Sequence, residues 1–249
     1  MKYLLGIDIG TSGTKTILFD TDGNVVASST KEYPLYTPQN GWAEQDPIDW
    51  WEATKDTIQE VVTLSEVENE QIVGIGLSGQ MHGLVMLDEK GQVIRNAIIW
   101  CDQRTARQCE EINRLVGKER HIEIAANPPL TGFMASKILW VRENESENYN
   151  RCKHMLLPKD FIRYKLTGIF ATEVSDASGT GLLDVRKRCW SDEILEKLSI
   201  DKEFLPKVYE SQEVTGTVME EVAALTHLKA GTIVVGGAGD NAAAAVGTG

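Results

Sequence analysis

Residues 3–19 read YLLGIDIGTSGTKTILF. The run from Tyr3 to Asp8 is apolar and closes on an acid and a glycine, which predicts a buried strand entering a tight turn. Lys15 to Phe19 predicts a second strand. After the Thr21-Asp22-Gly23-Asn24 turn, Val25 to Glu32 alternates and can pair as a third. Three strands joined by tight turns form an antiparallel meander. The pattern then changes. Asp46-Pro47 marks a helix start, with Asp46 as cap and Pro47 at the first helical position. Trp51, Ile58, Val61 and Val62 follow at helical spacing. Ile72 to Leu77 is again a strand, ending in Ser78-Gly79, and Leu84 to Leu87 and Ala97 to Trp100 predict further strands around the Asp88–Gly91 turn. Helical faces follow at Ala106, Cys109, Ile112 and Leu115, at Ile138, Leu139 and Val141, and over Pro158 to Leu166. Ile233 to Val235 leads through Gly236-Gly237-Ala238-Gly239 into an alanine-rich helix from Asp240. A meander followed by alternating strands and helices predicts an α/β domain with a mixed central sheet and flanking helices.

The chain has 249 residues, enough for one large domain or two small ones. Hydrophobic residues make up 42% and charged residues 25%, so a real core can be buried. A net charge of −12 and a pI of about 4.9 predict repulsion from nucleic acid and anionic membrane surfaces. A small phosphorylated ligand is not excluded, because it needs only a local positive site. Cys101, Cys109, Cys152 and Cys189 form no C-x-x-C pair and have no histidine at ligand spacing, which predicts reduced thiols. The first apolar run meets an acid at Asp8, too early for a signal peptide or a membrane span. A cytoplasmic protein is expected. The end in Ala-Val-Gly-Thr-Gly, just after a helix begins, reads as a cut.

Three segments carry candidate chemistry. In Asp8-Ile9-Gly10-Thr11-Ser12-Gly13-Thr14-Lys15, small residues let backbone N–H groups approach phosphate oxygens, the hydroxyls add donors and Lys15 adds charge. Asp8 can hold Mg²⁺ through water. A plain hairpin turn is the alternative, and the segment is not a Walker A loop. In Gly239-Asp240-Asn241, Asp240 reads as the cap of the alanine-rich helix or as a general base for a substrate hydroxyl; the two are compatible, since a capping site also fixes the carboxylate, and spacing alone favours the cap. Ser78-Gly79-Gln80-Met81-His82-Gly83 follows a strand, where α/β sheets bind ligands; His82 offers a polyol a hydrogen bond or is simply structural. Trp100 precedes the polar cluster Cys101-Asp102-Gln103-Arg104, which faces either a ligand or solvent.

Together these segments resemble the FGGY carbohydrate kinases, which share a superfamily with actin, hexokinase and the heat-shock chaperone ATPases. DIGTSGTK (8–15) resembles the family's first phosphate loop, and GGAGDNAAAAVGTG (236–249) its catalytic segment. GWAEQDP (41–47), IIWCDQR (98–104), LPKDFIRYKLTG (157–168) and SDASGTGLLDV (175–185) are similar to further family segments. SGQMHG (78–83) resembles the sugar loop of the members that act on D-xylulose; glycerol-specific members carry Arg-Glu where Met81-His82 stand. The resemblance implies a ribonuclease-H-like, actin-like ATPase fold, ATP and Mg²⁺ as cofactors, and a sugar as the small-molecule partner. It implies Asp240 as catalytic base and Asp8 as the acid that organises Mg²⁺ and phosphates. Met81, His82, Asp240 and Asn241 would contact the sugar, and Thr11, Ser12, Gly13 and Lys15 would line the phosphate site. A homodimer is compatible with this reading. Gluconate, ribulose and related substrates, or a non-catalytic sugar sensor or ATP switch, are the rivals. Two departures stand out. Met134 occupies a position where the family signature around Lys137-Ile138-Leu139-Trp140 has a small or hydroxyl residue or Pro. Family members are also about twice as long, so residues 1–249 would be the amino-terminal, sugar-binding domain. The nucleotide-binding domain lies outside it, and the piece alone is expected to turn over little.

Overall fold

The computed structural model describes every residue from Met1 to Gly249. The meander forms as its pattern predicts. β1 (Tyr3–Ile9) pairs antiparallel with β2 (Gly13–Asp20), and β2 with β3 (Val25–Glu32). Period-two alternation sorts each strand: Leu5, Ile7 and Ile9 point into the core, and Gly6 and Asp8 to the opposite face. α1 (Pro47–Ser65) covers the core face. Asp46 caps it by accepting the Ile48 N–H at 2.9 Å, and Glu66 ends it in a left-handed turn at φ 53°. Trp50, Ile58 and Val61 on its inner face are fully buried, each stabilising the packing by roughly 1.5–3 kcal/mol. Thr57 and Thr16 share a buried hydrogen bond of 2.8 Å, the one polar tie between that helix and β2.

β4 (Ile72–Gly79) lies parallel to β1, matching Ile7 with Leu77, Asp8 with Ser78 and Ile9 with Gly79. On its other side come β5 (Val214–Thr217), β6 (Ile233–Val235) and the short β7 (Ala238–Gly239). β6 and β7 both run parallel to β4, and β5 pairs antiparallel with β6. The sheet order is β5-β6-β4-β1-β2-β3, so the sheet is mixed, as expected.

Two expected strands fall elsewhere. Val85–Leu87 pairs with His154–Leu156, and Ala97–Ile98 with Glu44–Gln45, both outside the central sheet. The latter stops at Ile98, because Ile99 accepts the Asp102 N–H in a turn. These small ladders lie between the core under the sheet and that of a second, mainly helical region. The second region includes α2 (Met134–Asn144) and α4 (Val174–Ser178), whereas α3 (Pro158–Thr167) packs Phe161, Ile162 and Leu166 into the core under the sheet. The second region's own core contains Ile112, Ile138, Leu139, Trp140, Leu182 and Leu195, apart from the core under the sheet. The chain closes with α5 (Asp240–Thr248), none of whose residues is buried. All four cysteines are free. No helix is long and apolar enough to cross a membrane.

Candidate active site

Three parallel strands deliver three loops to one edge. β1 ends at the Gly10–Gly13 turn, β4 at Gln80-Met81-His82, and β7 at Asp240. Because Asp8, Ser78 and Ala238 are in register, Asp240 comes close enough for its charge to act on Asp8. Loops at the carboxyl ends of parallel strands are where such sheets bind ligands.

Asp8 is exposed. The strands around it remove part of its water and raise its pKa; the charge of Asp240 raises it further, against a hydrogen bond from Ser78 and the charge of Lys15. Asp8, Lys15 and Ser78 line one cavity of about 1010 Å³ between the sheet and Ala242, Ala243 and Val246 of α5.

The cap alternative for Asp240 does not hold. The N-cap is Gly239, and Asp240 is the first helical residue. Its Oδ1 accepts only the neighbouring Asn241 N–H, at 2.7 Å. The carboxylate is exposed. Asn241 stands beside it, also exposed.

Met81 fills the space between two glycines. A Cβ on Gly239 would stand 2.8 Å from Met81 Cγ, and one on Gly179 would stand 2.6 Å from His82 Nδ1. His82 Nδ1 lies 2.6 Å from the Gly179 carbonyl oxygen. A carbonyl can only accept, so Nδ1 carries the proton. Burial lowers the His82 pKa, and the Lys137 charge adds to this against Gly179 and Asp240. The ring is therefore neutral, and Nε2 is left as an acceptor suited to a sugar hydroxyl.

In the Gly10–Gly13 turn, the Gly10 N–H donates to the Gly13 carbonyl at 3.0 Å. Thr11, Gly13 and Lys15 sit partly or well exposed, as does Ser12. Sequence reasoning missed what holds the turn. Tyr33 Oη donates to the Gly10 carbonyl at 2.5 Å, and Gln45 Nε2 to the Thr11 carbonyl at 2.7 Å. Gln80 Nε2 donates to Gln45 Oε1 at 2.8 Å, linking this turn to the Met81-His82 loop. Trp100 Nε1 donates to Thr11 Oγ1 at 2.9 Å, although Trp100 is 47% exposed. The cluster after Trp100 is built into the fold. Arg104 binds Asp102 and Glu44 and stacks on Trp42, its guanidinium carbon 3.7 Å from the ring centre.

Behind the site lies a second charged group. Lys159, Asp160, Arg163, Glu173 and Asp176 are all 0% exposed. Lys159 Nζ reaches Asp160 at 2.6 Å and Asp176 at 3.3 Å. Arg163 donates to the carbonyls of Val235, at 2.6 Å, and Gly236, at 2.5 Å. Glu173 accepts the Ser175 hydroxyl at 2.9 Å, and Ser175 Oγ accepts the Gly239 N–H at 3.1 Å. The strand that presents Asp240 is thus bolted to α3 and α4. No signal in the sequence distinguished these residues from surface charges.

An exposed acid at a helix start, a hydroxyl-accepting histidine and a turn of small hydroxylated residues, all at one sheet edge, suit transfer of a phosphoryl group to a polyol. The chain matches the model of the FGGY family of carbohydrate kinases, N-terminal domain, over residues 3–247, and it belongs to that family. It is 43% identical over its full length to the xylulose kinase of Bacillus subtilis (strain 168), covering 50% of that protein. A solved structure described as a xyloylose kinase from Brucella ovis is 40% identical, with a TM-score of 0.91 over 96% of this chain and 49% of the other. A gluconate kinase structure from Lactobacillus acidophilus has a TM-score of 0.90 at 29% identity, over 96% of this chain and 48% of the other. The chain spans about half the length of the curated relatives it matches.

No group of three or more His, Cys, Asp or Glu side chains stands ready to cage a metal. Mg²⁺ does not need one, since it binds through one or two carboxylates plus water and substrate phosphates. Asp8, exposed and raised in pKa beside a second acid, fits that mode.

Proposed function

We propose that residues 1–249 are the sugar-binding half of an ATP-dependent kinase that converts D-xylulose to D-xylulose 5-phosphate. A second domain beyond this half would supply the rest of the nucleotide site, so the half alone should turn over little. The observation that carries this reading is the convergence of β1, β4 and β7, which gathers Asp8, His82 and Asp240 at one edge. Asp240 would orient the terminal O5 hydroxyl and take its proton as that oxygen attacks the γ-phosphorus in line. An O–P bond forms, the bond to the β-phosphate oxygen breaks, and ADP leaves. Thr11, Ser12, Gly13 and Lys15 would contact the phosphates, and Asp8 would hold Mg²⁺ through water, which neutralises phosphate charge when bound. Met81, His82 and Asn241 would hold the sugar, with His82 Nε2 accepting a hydroxyl. Most of the acceleration would come from positioning and charge stabilisation.

The gluconate kinase fits almost as closely in fold, so fold similarity does not choose the substrate. The Met81-His82 loop and the names of the most similar relatives favour D-xylulose. The test is ADP release by the full-length protein with Mg²⁺-ATP and D-xylulose, D-ribulose, gluconate or glycerol in turn. Release driven mainly by D-xylulose is expected. Preference for another substrate moves the specificity, and no sugar-dependent release rejects the kinase.

A further inference from the structure

His82 occupies a backbone conformation that side chains disfavour, with φ at 71°. Something must hold it there, and the adjacent structure supplies one long side chain. Lys137, in the first turn of α2, is 0% exposed. Its Nζ donates to the His82 carbonyl at 2.9 Å and to the Gly132 carbonyl at 2.5 Å. Those carbonyls belong to separate loops, one after β4 and one before α2. The rings of His82 and Phe133, the residue after Gly132, stack with centroids 4.4 Å apart. Gly132 also lies against Trp100, whose carbonyl oxygen would be 2.7 Å from a Cβ added there. One amine therefore ties together the loops that carry His82 and Phe133, with Trp100 packed against the second.

The lysine is not there to balance charge. Asp102 acts on it only at a distance, and that carboxylate is bound by Arg104 at 2.7 Å. Burial pulls the amine down to about 7. An apolar side chain of similar length would carry no such penalty. What Lys137 supplies, and a methionine could not, is the pair of carbonyl hydrogen bonds.

We propose that Lys137 is a positioning residue for the sugar site, setting the His82 backbone and the His82–Phe133 stack through its bonds to the His82 and Gly132 carbonyls. The proposal rests on the reading that the Met81-His82 loop contacts the sugar. Lys137→Met in the full-length protein should raise the sugar KM about tenfold or more, the loss of one strong hydrogen bond, with kcat held within a few-fold. Some loss of Tm is expected, because two buried carbonyls lose their donor; a merely structural lysine would lower Tm and leave the KM of the folded protein unmoved. An unchanged KM in an active protein overturns the proposal. A second readout needs no sugar: the rate of His82 carbethoxylation by diethyl pyrocarbonate, followed by mass spectrometry. Faster labelling of His82 in Lys137→Met supports the clamp, and an equal rate overturns it. That holds even if the unmutated protein phosphorylates nothing in the panel, which is the failure of the kinase reading alone. Should Lys137→Met not fold, hydrogen exchange in the unmutated protein decides. Residues 81–83 and 131–133 opening together supports the clamp; independent opening rejects it.

Discussion

Two sets of acids in this molecule live in opposite environments. Asp8 and Asp240 stand exposed at the sheet edge, close enough to repel, and neither has a salt-bridge partner that quenches it. Asp160, Glu173 and Asp176 are completely buried around Lys159 and Arg163. Burial pushes Asp176 well above the usual carboxylate range, and the Lys159 charge opposes that. These acids would be costly to bury without the two cations beside them. The comparison separates two uses of charge: acids kept wet and unquenched can react, and acids buried and paired can only hold. Here the buried group steadies Asp240, because Arg163 and the Glu173–Ser175 pair grip the segment that leads to it.

The contrast can be broken from either side. Asp240→Ala in the full-length protein should lower kcat about 10²–10⁴-fold, the range of a general base, with sugar binding still detectable by calorimetry. Equal turnover would remove Asp240 from the role. Lys159→Met should instead strike stability, by about 3–5 kcal/mol in urea unfolding, because it strands buried carboxylates. Asp8→Asn, on the exposed side, should leave unfolding unchanged or slightly improved, since it relieves repulsion from Asp240 while impairing turnover. A smaller effect tests Asp176. Its folded pKa lies above the ordinary 3.8, so the unfolded chain gives up this proton first as pH rises. Its contribution to stability therefore falls between about pH 4 and pH 8. Asp176→Asn should gain on the unmutated protein across that window, and parallel profiles would refute the assignment. Smallest of all, Ser175→Ala should lower kcat about fivefold, the worth of one neutral hydrogen bond, with Tm nearly constant.

Much of this was legible in the residues. The meander, α1 with its Asp46 cap, and the strand from Ile72 to Leu77 follow from period-two and period-3.6 patterns and from turn chemistry, though not the strand's parallel pairing with β1. The short ladders at Val85–Leu87 and Ala97–Ile98 read as strands, but their partners could not be read, since pairing depends on contacts far along the chain. By spacing alone Asp240 looked more like a cap than a base. Only its three-dimensional setting, with Gly239 in the cap position, left the carboxylate free.

The sequence by itself determined the opening meander, the main helical faces and which loops carry small, hydroxylated or acidic residues, because those choices rest on local propensity and periodicity; short elements such as Val214–Thr217 and Glu220–Thr226 were not read. The tertiary structure alone decided that β1, β4 and β7 end side by side, that Gln80 and Trp100 brace the Gly10–Gly13 turn, and that Lys137, Lys159 and Arg163 are buried. The physical reason is that register and burial come from residues distant in sequence. A lysine's letter is the same whether its amine meets water or two carbonyls.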